Sequence, residues 1–283
     1  MQEIVDTEFT LYTSKGKIDI MKLVFSDGAI RYRLPEYTGL DRVSLIVSEK
    51  IDINTVPMKL ALLQSLLENL GVNTCKLIFK YLPYARADRL FGQGESFGLA
   101  AFAKLIDPFY EVFAYDIHNF ENTENLMGPI TNIGINAFLF FGNACWYLDS
   151  LNTESVLISP DKGAKEKVKS VAEYFEHDVV YAEKVRDTKT GQITDTVLSE
   201  TDKVKGKDCL IVDDICDGGG TFIPLAKKLK EAGARTVTLY VTHGIFSKGL
   251  EPLKEHIDYL APFQIIGNYV TMQDVKNFNE RNK

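Results

Sequence analysis

The stretch "CLIVDDICDGGGTFIPLAKKLKEAGA", residues 209–234, fixes how the rest of the chain is read. A short apolar run ends in two adjacent acids, Asp213 and Asp214. A third acid, Asp217, precedes Gly218, Gly219, Gly220 and Thr221, and a helix-like segment begins at once. In an open parallel sheet, ligands bind beyond the carboxyl ends of the strands, where this loop would lie. Three glycines let backbone N–H groups approach an anion closely, and a helix N-terminus adds partial positive charge. Acids beside a phosphate would repel it, so Asp213 and Asp214 need other partners: sugar hydroxyls or a hydrated Mg2+. Phosphate plus diol means a ribose phosphate. A glycine run alone also fits a tight turn; the combination of strand, paired Asp, third Asp, Gly-Gly-Gly-Thr and helix is what carries the reading.

Outward from this stretch, strand-like and helix-like segments alternate. "DRVSLIVSE" (41–49) reads as a strand, "MKLALLQSLLENLG" (58–71) as a helix at 3.6 spacing, and "TCKLIFKYL" as a strand again. "FGLAAFAKLID" and "EVFAYDIH" repeat the unit, and an irregular middle spans about residues 119–134. The rhythm then resumes: "SVLISP" (155–160), "GAKEKVKSVAEYFE", "DVVYAEK" (178–184), "DCLIVDDI", "GTFIPLAKKLKEAGA", and "TVTLYVTHG", which closes the series. Such alternation predicts parallel sheets with helices on both faces. The count restarts near 148, which sets expected domains at 1–148 and 149–283. The charged end "FNERNK" is expected to fray.

Composition limits the partners. With 283 residues and 45% hydrophobic content, the chain is long enough for two cores. A formal charge of −7 argues against nucleic acid as the main partner, since phosphate-backbone binding needs a basic excess. The apolar stretches are strand-sized, and "MQEIVDTEFT" has neither a basic nor an apolar leader segment, so an unanchored, cytoplasmic chain with no membrane partner is expected. Cys75, Cys145, Cys209 and Cys216 show no C-x-x-C spacing and read as reduced small hydrophobes.

With these segments in order, the chain resembles the ribose-phosphate pyrophosphokinases, whose ribose-phosphate loop is shared with type I phosphoribosyltransferases. "KYLPYARADR" (80–89) is similar to that family's Tyr-Ala-Arg-Gln-Asp-Arg segment, "LVFSDGAIRYRLPE" (23–36) to its Phe-Ser-Asp-Gly-Glu segment, and "YDIH" (115–118) to its Asp-Leu-His. "SPDKGA" (159–164) resembles the pyrophosphate loop, and "KVRDTKTGQI" (184–193) takes the place of a mobile Lys-x-Arg flap. The resemblance covers nearly the whole chain. It implies an α/β protein of two tandem phosphoribosyltransferase-like domains with mainly parallel sheets flanked by helices. It also implies transfer of the β,γ-diphosphoryl group of ATP to the C1 hydroxyl of ribose 5-phosphate.

The residue roles follow from that resemblance. Lys184 and Arg186 are expected to neutralise the charge that gathers around the transferred phosphorus; the same composition also fits a solvated charged hairpin. Phe25, Asp27, Arg86, Asp88 and His118 are expected at ATP, with His118 and Asp161 as Mg2+ ligands. Asp161, Asp213, Asp214, Asp217, Gly218, Gly219, Gly220 and Thr221 are expected at the ribose phosphate. In the family the Phe25–Asp27 loop reaches a neighbouring subunit, which implies a homo-oligomer, dimer or hexamer. His243, at a strand end, is a secondary candidate.

Departures from the pattern carry their own expectations. Ala29 and Ala87 stand where Glu and Gln are usual, removing two polar groups from the nucleotide pocket. Gly218 stands where the family has Thr, which deletes a hydroxyl and is expected to open space beside the phosphate. A roomier loop would suit a 5-phosphate that carries more, as in ADP-ribose, the acceptor of some compact phage relatives that serve NAD resynthesis. Two other readings are a phosphoribosyltransferase, which has no use for "YARADR", "FSDG" or the flap, and a catalytically silent regulatory paralogue.

Overall fold

The computed structural model of the chain describes residues 3–35, 37–90, 92–135, 154–186 and 193–282. It divides into two compact units, Met1–Ile133 and Gly134–Lys283. The expected boundary at 148 lies outside the described residues.

The first unit holds a six-stranded sheet in the order β3-β2-β6-β7-β8-β9. Its strands are β2 (Phe9–Thr13), β3 (Gly16–Ile18), β6 (Ser44–Val47), β7 (Cys75–Phe79), β8 (Tyr110–Tyr115) and β9 (Ile130–Ile133). From β6 to β9 all neighbours are parallel, while β2 and β3 run antiparallel at one edge. Helix α1 (Val56–Asn69) starts with Pro57 in its first turn and buries Val56, Leu60, Leu63 and Leu67, an i, i+4, i+7, i+11 stripe, in a core with Leu45, Leu77 and Phe79. Two further helices, α2 (Gly98–Ala103) and α3 (Phe120–Met127), follow β7 and β8. The segment read as an irregular middle thus contains α3 and β9. Gly128, at φ +75°, ends that helix, which is too short to show a clear periodicity.

A separate antiparallel sheet, β1 (Glu3–Val5), β4 (Met21–Val24) and β5 (Ile30–Arg33), was not expected from the sequence. Its strands are only three or four residues long, too short for alternation to stand out. Glu8, just before β2, accepts bonds from Lys59 of α1 at 2.7 and 2.8 Å and from Lys22 of β4 at 2.9 Å, joining this ribbon to the larger sheet's helix. Burial alone would raise the Glu8 pKa, but the two ammonium groups outweigh it and hold it below the usual carboxylate value.

The second unit has the order β12-β11-β10-β13-β14-β15, parallel except for the outer β11–β12 ribbon. The strands are β10 (Ser155–Ser159), β11 (Val179–Arg186), β12 (Ile193–Leu198), β13 (Asp208–Cys216), β14 (Thr236–Gly244) and β15 (Tyr259–Ile265). Strand β13 is central, and its alternate residues enter two cores. Cys209 and Ile211 pack with Phe222, Leu225, Ala226 and Leu229 of α5 (Phe222–Glu231), whereas Leu210 and Val212 pack with Ala164, Val168 and Val171 around α4 (Lys165–Phe175). Burial on both faces explains the unbroken apolar run Cys209–Val212.

The series does not close at β14. Strand β15 and helix α6 (Met272–Glu280) follow, the helix capped by a reciprocal Thr271–Asp274 box. The charged end is docked, because its polar side chains bond to backbone groups. Asn279 exchanges bonds of 2.8 Å with Leu260 N and O, Arg281 donates to the carbonyls of Lys254 and Ile257, and Phe278 is buried. Among the described residues no helix is long and apolar enough to cross a membrane. Cys75, Cys209 and Cys216 are free and buried, with burial pushing each thiol up to about 12; Cys145 lies outside the described residues.

Candidate active site

In the second unit the order of strands reverses between β10 and β13, which are direct parallel neighbours with Ile158 opposite Ile211. Loops leaving such a pair at their carboxyl ends diverge and leave a crevice. One is the Pro160–Ala164 turn and the other is Asp217–Thr221, so the structure brings together Asp161, Asp213, Asp214 and the glycine loop.

The acids differ in how they are held. Asp161 Oδ1 accepts the N–H groups of Gly163 at 2.9 Å and Ala164 at 3.1 Å, which fixes the turn into α4. By strand alternation Asp213 lies on the α5 side and Asp214 on the α4 side. Asp214 is buried and Asp213 half-buried. Burial, and then the adjacent Asp214 charge, raise the Asp213 carboxyl well above the ordinary value. On the other side Lys167 of α4 approaches Asp214 Oδ1 at 3.6 Å. Sequence reasoning missed Lys167. The available signal was its place beside the buried stripe Ala164, Val168 and Val171, three residues after Ala164, which brings it to the edge of the face that packs on β13.

The glycine loop is shaped by its neighbours. Gly219 has φ +79°, and a Cβ there would meet Leu253 at 2.8 Å and Ile223 at 3.0 Å. The N–H groups of Gly218 and Gly220 have no hydrogen-bond acceptor among the described residues. Thr221, the residue before α5, makes no side-chain cap. Asp217 accepts a bond from the Ser247 hydroxyl, which ties the loop to the segment following β14. The expected space beside Gly218 is not open: a Cβ there would lie 3.1–3.4 Å from the Lys248 side chain, whose stem fills the room left by the missing threonine.

Lys184 and Arg186 lie on β11, which continues past the expected end of the strand to Arg186. Lys184 is opposite Thr196 and Arg186 opposite Ile193, with a register shift between Val185 and Arg186. Residues 187–192 of the flap fall outside the described residues. His243 is a structural residue instead of a candidate: it is 2% exposed and its Nδ1 lies 2.8 Å from Gln264 Nε2.

In the first unit, Arg86 and Asp88 follow β7 and His118 follows the adjacent parallel β8. Asp88 is buried and accepts from Asn119 Nδ2 at 2.8 Å and Asn122 Nδ2 at 3.2 Å, clamping the two loops together. Arg86 and His118 are exposed. Tyr84 (φ +61°) and Asp116 (φ +37°) occupy the left-handed region in these same loops, a strain that such sites commonly retain. Phe25 and Asp27 sit on a different sheet, at the β4–β5 hairpin tip, where Asp27 Oδ1 accepts Ala29 N at 3.0 Å.

Comparisons with known proteins agree with this layout. Residues 140–274 match the family model described as "Phosphoribosyl transferase domain". The chain is 33% identical over 220 residues to the ribose-phosphate pyrophosphokinase of Pyrococcus abyssi, spanning 77% of this chain and 74% of the relative. It is 35% identical over 203 residues to the Pyrococcus furiosus enzyme of the same name, covering 71% and 70%. In fold it is similar to the phosphoribosylpyrophosphate synthetase from Mycobacterium smegmatis, with TM-score 0.68 and 20% identity over 93% of this chain and 89% of that one.

Proposed function

This chain belongs to the ribose-phosphate pyrophosphokinase family, and from that premise we propose that it transfers the β,γ-diphosphoryl group of ATP to the C1 hydroxyl of ribose 5-phosphate. The observation that carries this reading is the meeting of the paired acids, the glycine amides and the Asp161 turn at the carboxyl ends of β10 and β13. The amides of Gly218 and Gly220 and the N-terminus of α5 suit the 5-phosphate. Asp213 and Asp214 suit hydroxyls of the ribose, which donate to carboxylates.

In the reaction the C1 oxygen attacks the β-phosphorus and the bond from that phosphorus to the α,β-bridging oxygen breaks. AMP leaves with the bridging oxygen, and the hydroxyl proton passes to solvent. Lys184 and Arg186 are assigned to the charge that builds on the phosphoryl oxygens. Arg86 is assigned to the ATP phosphates, Asp88 to the support of that loop, and Phe25 and Asp27 to the base. Mg2+ would reach the site with the substrate phosphates and keep several waters. His118 is the assigned ligand of an ATP-bound ion and Asp161 that of a second ion near the ribose, and each ion would supply charge neutralisation at the phosphates. A homo-oligomer, implied by the family resemblance, would engage the Phe25–Asp27 hairpin of the β1-β4-β5 sheet.

Incubating the protein with Mg-ATP and ribose 5-phosphate and following AMP and the sugar product by mass tests the reading. AMP and phosphoribosyl pyrophosphate are expected, and Lys184→Ala should abolish most turnover. ADP-ribose is the second acceptor to supply, because Lys248 adds a cation beside the 5-phosphate loop. Binding of ATP without release of AMP from it in the presence of either sugar would replace the enzyme reading with the regulatory one.

A further inference from the structure

We infer that Lys248 is a specificity-determining residue that pairs its ammonium with the anionic substituent on C5 of the acceptor sugar. The inference rests on the glycine loop being the acceptor's phosphate site. Gly218 shows why this lysine is placed for that role. A Cβ on Gly218 would meet Lys248 Cε at 3.1 Å, Cδ at 3.2 Å and Cγ at 3.4 Å, so the lysine stem runs along the bare face of the loop. A threonine at that position, as in the related loops, would press on the stem and shift it by a few tenths of an ångström.

The backbone on both sides of this contact is anchored. The segment carrying Lys248 is fastened to the phosphate loop by the Ser247–Asp217 hydrogen bond. It is fastened also by Ile245 N and Phe246 N, which donate to Cys216 O at 2.8 and 3.2 Å. Phe246 is fully buried, and Gly249 N closes the turn onto Phe246 O at 2.8 Å. Lys248 itself is exposed, and among the described residues its ammonium has no hydrogen-bond or ion-pair partner. The same holds for the amides of Gly218 and Gly220 in the loop beneath it. A cation and bare N–H groups gathered in one loop pair form a phosphate receptor, because a phosphate accepts charge-assisted bonds from both. In this chain the hydroxyl lost at position 218 is exchanged for a full positive charge.

The test uses the full-length protein, Mg-ATP and each of two sugars, ribose 5-phosphate and ADP-ribose, with AMP release as the readout. Lys248→Met keeps the stem packed on Gly218 and removes only the charge. KM for the sugar is expected to rise about tenfold, with the loss concentrated in KM and a weaker salt dependence, and Lys248→Arg is expected to restore most of it. A rise with both sugars puts the contact at the phosphate they share; a rise with ADP-ribose alone puts it at the second phosphate. Gly218→Thr should raise KM in the same direction by displacing the stem. If Lys248→Met leaves KM within about twofold of wild type for every sugar the wild type uses, the inference is overturned. If wild type releases no AMP with either sugar, it is the underlying functional reading that fails.

Discussion

Strand β13 carries aspartates at both ends, and the two ends treat them in opposite ways. At the amino end Asp208 receives Arg235 Nε and Nη2 at 2.9 and 2.6 Å and the Thr236 hydroxyl at 2.6 Å. Arg235 holds that carboxyl below the ordinary range. At the carboxyl end Asp213 Oδ1 accepts the Asp214 N–H at 2.9 Å, Lys167 lies 3.6 Å from Asp214 Oδ1, and burial with the neighbouring charge drives Asp213 upward. An acid that serves the fold is supplied with a full set of donors within the chain. Two adjacent acids each raise the cost of ionising the other, and we propose that hydroxyls of the ribose offset that cost at this end of the strand.

The largest expected effect comes from breaking the carboxyl end. Asp213→Asn and Asp214→Asn should each lower kcat/KM for the sugar by on the order of a thousandfold, about 4 kcal/mol, while circular dichroism stays native. Loss of less than about tenfold at both positions would remove the pair from the site. Lys167→Met should cost about tenfold in KM for the sugar, because Asp214 loses the group that orients it, and Lys167→Arg should recover most of that loss. Equal loss in the Arg variant would mark Lys167 as a packing residue only.

The same substitution should change sign along the strand. Asp208→Asn is expected to lower stability by about 1 kcal/mol and Asp213→Asn to raise that of the ligand-free protein by about 1 kcal/mol, both read from urea midpoints. Loss of stability in both variants would end the comparison. The smallest effects are those of pH. The Asp208 carboxyl is depressed, so its contribution is present above the unfolded value and is lost as pH falls through the folded one. The Asp213 carboxyl is raised, so stability declines as pH climbs from the unfolded value through the folded one. Comparing urea midpoints across pH for each Asn variant and wild type should isolate a difference below the unfolded carboxylate value at Asp208 and one above it at Asp213.

How much of this was legible in the sequence depended on distance along the chain. The β13–loop–α5 unit is contiguous, so its apolar run, acids and glycines were readable together. The ribbon β1-β4-β5 left no comparable mark, because three- and four-residue strands carry too few alternations. The last helix was hidden for a different reason. Asn279 and Arg281 look like a solvated tail until their backbone partners on β15 and at Lys254 and Ile257 are in place.

The sequence by itself determined the α/β alternation, the family and the local chemistry of each loop, since these depend on residues that are neighbours in the chain. Tertiary structure alone decided what surrounds each loop. It gave Asp214 its lysine from α4, set Asp88 to clamp Asn119 and Asn122, satisfied His243 with Gln264, and filled the gap at Gly218 with the stem of Lys248. Each of these contacts joins segments remote in sequence that only the packing of strands and helices brings within a few ångströms. A deleted side chain therefore reads as empty space in the sequence and as another residue's place in the fold.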